Sequence, residues 1–324
     1  MLTLSEIKKP IDKNLQEFKI LFEATLRSDS HLLDKILQYI LKTKGKQIRP
    51  LFVMLAAGMA GEINKSTYTA ATLVEILHSA TLVHDDVVDE SNMRRGFFSV
   101  KALWKNKVAV LVGDYLLSKG LGVALENNEY TILQIVAEAV RSMSEGELLQ
   151  IQKARLMNID EAVYYEIIRK KTASLISACC AAGFASVSDD IDSINKMKKF
   201  GELTGIAFQI KDDLLDFDQN NKTGKPAQND LKDQKISLPL IYTLEKVNFI
   251  EKRTLLHAIK NHGAEKKAVK KIIEKIQSVD GFTYAEARMN EFKDEALKIL
   301  SEFPNSEYKK SLEQLVIFTT ERKF

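Results

Sequence analysis

Two acidic triplets stand out in the chain, Asp85-Asp86-Val-Val-Asp89 and Asp212-Asp213-Leu-Leu-Asp216. Each ends a segment that is otherwise mostly apolar. A separation of four puts Asp85 and Asp89 on one face of a helix, with Cβ atoms about 5–6 Å apart. Like charges in that relation cost a few tenths of a kcal/mol, and at a helix C-terminus they also oppose the macrodipole. A cation between them removes both penalties. Oxygen ligands without cysteine or histidine point to Mg2+, which keeps waters and shares its site with substrate phosphates. His84 is the one soft ligand nearby, and its place in the sequence turns it away from the Asp85/Asp89 face. A single triplet reads equally well as a solvated acidic helix end. The second copy, more than 120 residues later, changes that balance. Two such helix ends facing across a cavity would bring six carboxylates together, which calls for several divalent ions. A diphosphate held as its magnesium complex fits, the metal acting as a Lewis acid on a departing diphosphate.

Basic residues flank both triplets. Lys46 and Arg49 lie in GKQIRP at a helix start, with Pro50 near the first-turn position that prolines favour. Arg94-Arg95-Gly96 follows the first triplet; Lys171-Thr172, Lys225 and Lys235 lie around the second. Singly, each reads as a surface cation. Together they point to two anionic sites, one reached through metal and one through Arg and Lys directly. His78 stands seven residues before Asp85, two turns along the same helix, and by itself reads as a core histidine.

The elements that must position these groups are helices. Apolar residues recur at three and four positions almost throughout, as in Ile11, Leu15, Phe18, Phe22 and Leu26. The pattern predicts helices over 69–88, 108–125, 131–152, 160–185 and 191–217, with three or four more after Ser237. Five prolines and 14 glycines in 324 residues are few, as long helices require. Breaks fall at turn residues such as Asn127-Asn128, Ser188-Asp189 and 220–230. No linker or repeat interrupts the chain, so the expectation is one domain, 1–324, all-α, with about a dozen helices around a central cavity and no β-sheet required. The net charge of +3 is too small to imply a nucleic-acid partner, and the lysine runs near 266–271 read as a solvated helix face. Adjacent Cys179 and Cys180 cannot readily pair and read as core residues of a reduced, cytoplasmic protein. The N-terminus has no signal-peptide pattern, and no apolar run approaches the roughly 20 residues of a bilayer span, so an integral membrane protein is not expected.

The ordered blocks GKQIRP, EILHSATLVHDDVVDESNMRRG, VGDYLLSKG, GELLQ, RKKTASLI, FQIKDDLLDF and KISLPLI resemble those of the trans (E-type) polyprenyl diphosphate synthases, most closely the long-chain members. The resemblance implies an isoprenoid synthase-type bundle, a homodimer, and a prenyltransferase that joins isopentenyl diphosphate to an allylic diphosphate by ionisation, condensation and elimination. It implies that Asp85, Asp86, Asp89, Asp212, Asp213 and Asp216 bind Mg2+, with Arg94, Lys171, Lys225 and Lys235 on the allylic diphosphate. Lys46, Arg49, His78 and Arg95 would hold the diphosphate of isopentenyl diphosphate, and Thr172 and Gln209 would line the reacting centre. By the same logic the growing chain passes beside Ala80 and Thr81, where aromatics would stop it early, so a product of roughly six to ten units is expected. Leu116, Leu117 and Leu121 are deeper positions where the tunnel could close. Gln228 and Gln234 stand where the family commonly has glycine. The rivals are a short-chain farnesyl or geranylgeranyl diphosphate synthase, a non-catalytic subunit of a heteromeric synthase, a terpene cyclase, and a magnesium- or polyanion-binding helical module. The second triplet and the Lys46/Arg49/His78 set argue against the cyclase, which needs no second-substrate site.

Overall fold

The computed structural model describes residues 3–43, 45, 47–94, 96–156, 160–217, 237–262 and 265–321. Fifteen α-helical stretches account for most of them. In chain order they are α1 (Leu4–Lys8), α2 (Asp12–Thr25), α3 (His31–Lys42), α4 (Ile48–Ala60), α5 (Lys65–Val88), α6 (Val100–Glu126), α7 (Tyr130–Leu156) and α8 (Glu161–Ile168). After these come α9 (Ser174–Ala185), α10 (Ile191–Asp216), α11 (Leu238–Lys246), α12 (Phe249–His262), α13 (Lys266–Ser278), α14 (Gly281–Ser301) and α15 (Glu307–Glu321). Strands β1 (Met93–Arg94) and β2 (Phe97–Phe98) form one antiparallel hairpin between α5 and α6.

Helix α5 is the centre of the bundle. Asn64 caps it, accepting the Thr67 amide at 3.1 Å, while Thr67 reaches back to the Asn64 backbone. That arrangement satisfies two amides that the first turn leaves without partners. From Ala70 to His78 every residue is buried, so the helix is walled on all sides: by α6, α4, α9 and α7. The main core gathers fully buried Phe18, Phe52 and Phe200, each contributing about 1.5–3 kcal/mol. A second cluster lies where α10 meets α11 to α14, around Ile210, Leu238, Ile272 and Ile276.

Four differences from the sequence reading have physical causes. Among the described residues five helices, not three or four, follow Ser237, because a short break at Val247-Asn248 divides a segment through which the apolar pattern runs on; at the break before the fourth of them Asp280 takes a left-handed conformation, φ 59°. The stretch expected as one helix over 160–185 is interrupted by a π-turn, Arg169–Ala173. Helix α6 starts at Val100 rather than 108, with a kink at Lys105, φ 74°. The small hairpin was not expected; Gly96, at φ 80°, supplies the positive φ that reverses the chain.

Candidate active site

Both acidic triplets sit at helix C-termini. Asp85 and Asp86 lie in the last turn of α5 and Asp89 is its cap residue, its amide donating to the Asp85 carbonyl at 2.8 Å. Asp212, Asp213 and Asp216 close α10. A cavity of about 740 Å³ lies between these ends, bordered by Asp85, Asp89, Arg94, Glu147, Gln150, Lys171, Thr172, Gln209 and Asp213. Its apolar wall comes from Met143, Ile151, Ile167, Leu175 and Phe208. Asp212 and Asp216 are half-buried and are not among the described residues bordering it.

The two central carboxylates are committed to protein partners. Arg94 Nε donates to Asp86 Oδ1 at 2.7 Å. The hairpin holds Arg94 in place, and it is itself pinned by Tyr39 Oη donating to the Phe98 carbonyl at 2.7 Å and Ser99 Oγ donating to the Ser91 carbonyl at 2.7 Å. Asp213, buried, accepts from Tyr164 Oη at 2.7 Å and from Gln209 Nε2 at 3.0 Å. Gln209 in turn accepts from Thr172 Oγ1 at 2.8 Å. Thr172, Gln209, Asp213 and Tyr164 therefore form one hydrogen-bonded chain across three elements. Among the described residues, no three or more His, Cys, Asp or Glu side chains gather around one point closely enough to hold a metal.

Lys171 projects from the π-turn, a device often found at functional sites. It pairs with Glu147 and donates to Gln150 Oε1 at 3.4 Å. The turn fits because glycines face it on both sides. A Cβ on Gly146 would lie 2.8 Å from the Lys171 amide nitrogen, and one on Gly205 would lie 2.5 Å from the Ala173 Cα. Helices α7 and α10 thus clamp the bulge that presents Lys171 and Thr172. Burial pushes the Asp85 carboxyl up to about 6; Lys171 and Arg94 oppose the shift, while Glu147 and Asp89 add to it. Burial also raises Asp86, against the pull of Arg94.

A second cavity, of about 80 Å³, shares Arg49, His78, Leu82 and Arg94 with the first. Its polar lining also includes Gln47, Glu75, Ser79 and Asp86, with Phe22, Phe97 and Phe98 among its apolar neighbours. The wall common to the two chambers thus carries Arg49, His78 and Arg94. Lys46, Arg95, Lys225 and Lys235, with Gln228 and Gln234, lie outside the described residues. His84 turns toward α6, 3.4 Å from Asp114. Thr81 borders the large cavity, but Ala80 is 0 % exposed, packs in the main core and does not border it. Leu116 is fully buried in the same core, Leu117 half-buried and Leu121 41 % exposed; none borders the cavity. Sequence reasoning missed Glu147, Gln150 and Tyr164. The first two stand in the GELLQ block, and Tyr164 lies two turns before Lys171, yet neither spacing reveals a partner 20 to 50 positions away.

An anionic chamber with an apolar wall, inside an all-α bundle, is the site of an enzyme whose substrates pair a charged head with a hydrocarbon tail. The model of the polyprenyl synthetase family matches residues 30–276, and the chain belongs to that family and is a prenyltransferase. It is 32 % identical over its whole length to the octaprenyl diphosphate synthase of Haemophilus influenzae, covering 98 % of that protein. It is 33 % identical to heptaprenyl diphosphate synthase component 2 of Bacillus subtilis, over 93 % of this chain and 86 % of that one. The crystal structure of a polyprenyl synthase from Caulobacter crescentus CB15, complexed with calcium and isoprenyl diphosphate, superposes with a TM-score of 0.91 at 30 % identity, over 99 % of this chain and 98 % of that one. Geranylgeranyl diphosphate synthases are also similar to it.

Proposed function

We propose that this chain condenses isopentenyl diphosphate with an allylic diphosphate to make a long-chain all-trans polyprenyl diphosphate for quinone side chains, in the cytoplasm. One observation carries this reading: the two chambers share Arg49, His78 and Arg94, so two diphosphates would lie on either side of one basic wall. The allylic diphosphate takes the large chamber, its head beside Lys171 and Arg94 and its tail along Met143, Leu175 and Phe208. Isopentenyl diphosphate takes the smaller one, held by Arg49 and His78, with Lys46 and Arg95 assigned to it by resemblance. Mg2+ bound by Asp85, Asp89 and the second triplet would neutralise charge on the departing diphosphate. This ion takes one or two carboxylates and completes its shell with phosphate oxygens and water. Thr172 and Gln209, fixed by their hydrogen-bonded chain, present oriented dipoles to the allylic cation. The isopentenyl double bond attacks that cation, and the proton lost in elimination goes to the released diphosphate. The test is incubation with labelled isopentenyl diphosphate and allylic primers of several lengths, with product-length analysis; absence of any elongated product would refute the reading. The geranylgeranyl-length alternative, which rests on the similar short-chain synthases, would appear as a product that stops at four units.

Thr81 borders the cavity and Ala80 does not, so the aromatic block belongs at Thr81. Thr81→Phe should shift the product spectrum to shorter chains, read by chromatography. Phe at Ala80 would instead overpack the core, at a cost of about 1–3 kcal/mol. The raised Asp85 carboxyl gives a pH signature. The folded chain holds this proton between the ordinary carboxylate range and about 6, so its contribution to stability is lost as pH rises through that window. A metal must displace the same proton. Mg2+ should therefore raise the melting temperature more at pH 7.5 than at pH 5, measured by calorimetry.

The homodimer reading is supported by α6, whose outward residues Leu103, Leu111, Leu121 and Leu125 are 41–58 % exposed. Exposed leucines along one helix, interspersed with Lys107, Asp114 and Ser118, suit the mixed surface of a subunit contact. Leu111→Glu should shift the chain from dimer to monomer in sedimentation experiments.

A further inference from the structure

Helices α12 and α13 form an antiparallel hairpin, tied by the Lys275–Glu251 ion pair at 2.6 Å. One side of it is core: Leu255 and Ile259 on α12, and Val269, Ile272, Ile273 and Ile276 on α13, are buried. The opposite side carries Arg253 on α12 and Lys267, Lys270 and Lys271 on α13, all exposed. Residues 249–278 hold eight lysines and arginines against three glutamates. Their net charge of +5 exceeds the +3 of the whole chain, so the basic charge is concentrated here while the remainder is slightly acidic. At one end of this face Phe249 and Ile250 are 74 % and 77 % exposed, the most exposed large apolar side chains among the described residues. Ile250 shares its helix face with Arg253, three positions on.

We infer that this hairpin face docks on an anionic lipid surface, with Phe249 and Ile250 entering the headgroup boundary. A solvated lysine face accounts for the charges but not for an aromatic and an aliphatic residue left in water beside them. A nucleic-acid backbone would take the lysines and gain nothing from the apolar pair. A bilayer uses both, since interfacial binding adds buried apolar area to attraction for anionic headgroups. The choice of a membrane rests in part on the proposed function: a long-chain product has an apolar tail that leaves the enzyme for lipid.

The test is co-sedimentation of the full chain with phosphatidylcholine vesicles and with vesicles containing about one third phosphatidylglycerol, a strongly anionic surface. Binding is expected only to the anionic vesicles, weakening at high salt. The triple variant K267Q/K270Q/K271Q should bind about a hundredfold more weakly, and F249S/I250S should also bind more weakly at unchanged charge. Both variants should keep wild-type turnover of soluble substrates without vesicles. No binding to anionic vesicles, equal binding by the triple variant, or retention of duplex DNA as tightly as vesicles would overturn the inference. Vesicle binding needs no catalysis, so an inactive wild-type chain that still sediments with anionic lipid would refute the proposed function alone.

Discussion

Asp85→Ala should lower the Mg2+-dependent rate by about a thousandfold while leaving the protein as stable as before, or slightly more so. The direction of the stability effect follows from the site. Asp85 is pushed up to about 6 by burial despite Lys171 and Arg94, so its ionised form costs the fold free energy at neutral pH. Asp85 also borders the cavity, which fits its proposed role as a metal ligand. Asp212 does not border the cavity; it is assigned to metal by resemblance, and on that ground Asp212→Ala should show the same loss of rate. Asp86→Ala and Asp213→Ala form the contrast. They would remove the carboxylates to which Arg94, Tyr164 and Gln209 donate at 2.7–3.0 Å, which costs about 1–3 kcal/mol each. Single-turnover rates and thermal melts on the four variants separate the two classes. Turnover close to wild type in Asp85→Ala or Asp212→Ala would sink the metal assignment.

The second large effect belongs to Lys171. Lys171→Met keeps the apolar stem and removes the charge, and the rate should fall about a hundredfold. Two causes act together. A cation assigned to the leaving diphosphate is lost, and Asp85 loses the largest influence holding its carboxyl down. Its proton then competes harder with metal, so the Mg2+ concentration needed for half-maximal rate at pH 7 should rise, and raising the pH should partly restore it. A rate loss that neither pH nor Mg2+ relieves would mean that Lys171 acts on the substrate alone.

Much of this site was legible because its residues repeat a pattern at short range. The triplets, GKQIRP and the Lys-Thr pair declare themselves within ten residues each, and helical periodicity alone placed the ends of α5 and α10 near their observed positions. What stayed hidden depends on contacts between distant elements. Nothing local marks Tyr164 as the partner of Asp213, 49 positions on. The π-turn is set by Gly146 and Gly205 on two other helices, so a window over 160–185 reads as uninterrupted helix. Ala80 and Thr81 are neighbours in sequence, but they occupy different sides of α5, and only packing distinguishes cavity from core.

The two ends of the described chain meet. Ile7 and Ile11 are fully buried, and α1 packs against α15, where Leu312, Leu315 and Val316 are also buried. During synthesis α1 must therefore wait for α15, about 300 residues later, which at about 5–20 residues per second takes on the order of tens of seconds. For that interval α1 lacks its contact with α15. The seam therefore closes only after both halves of the site have been made.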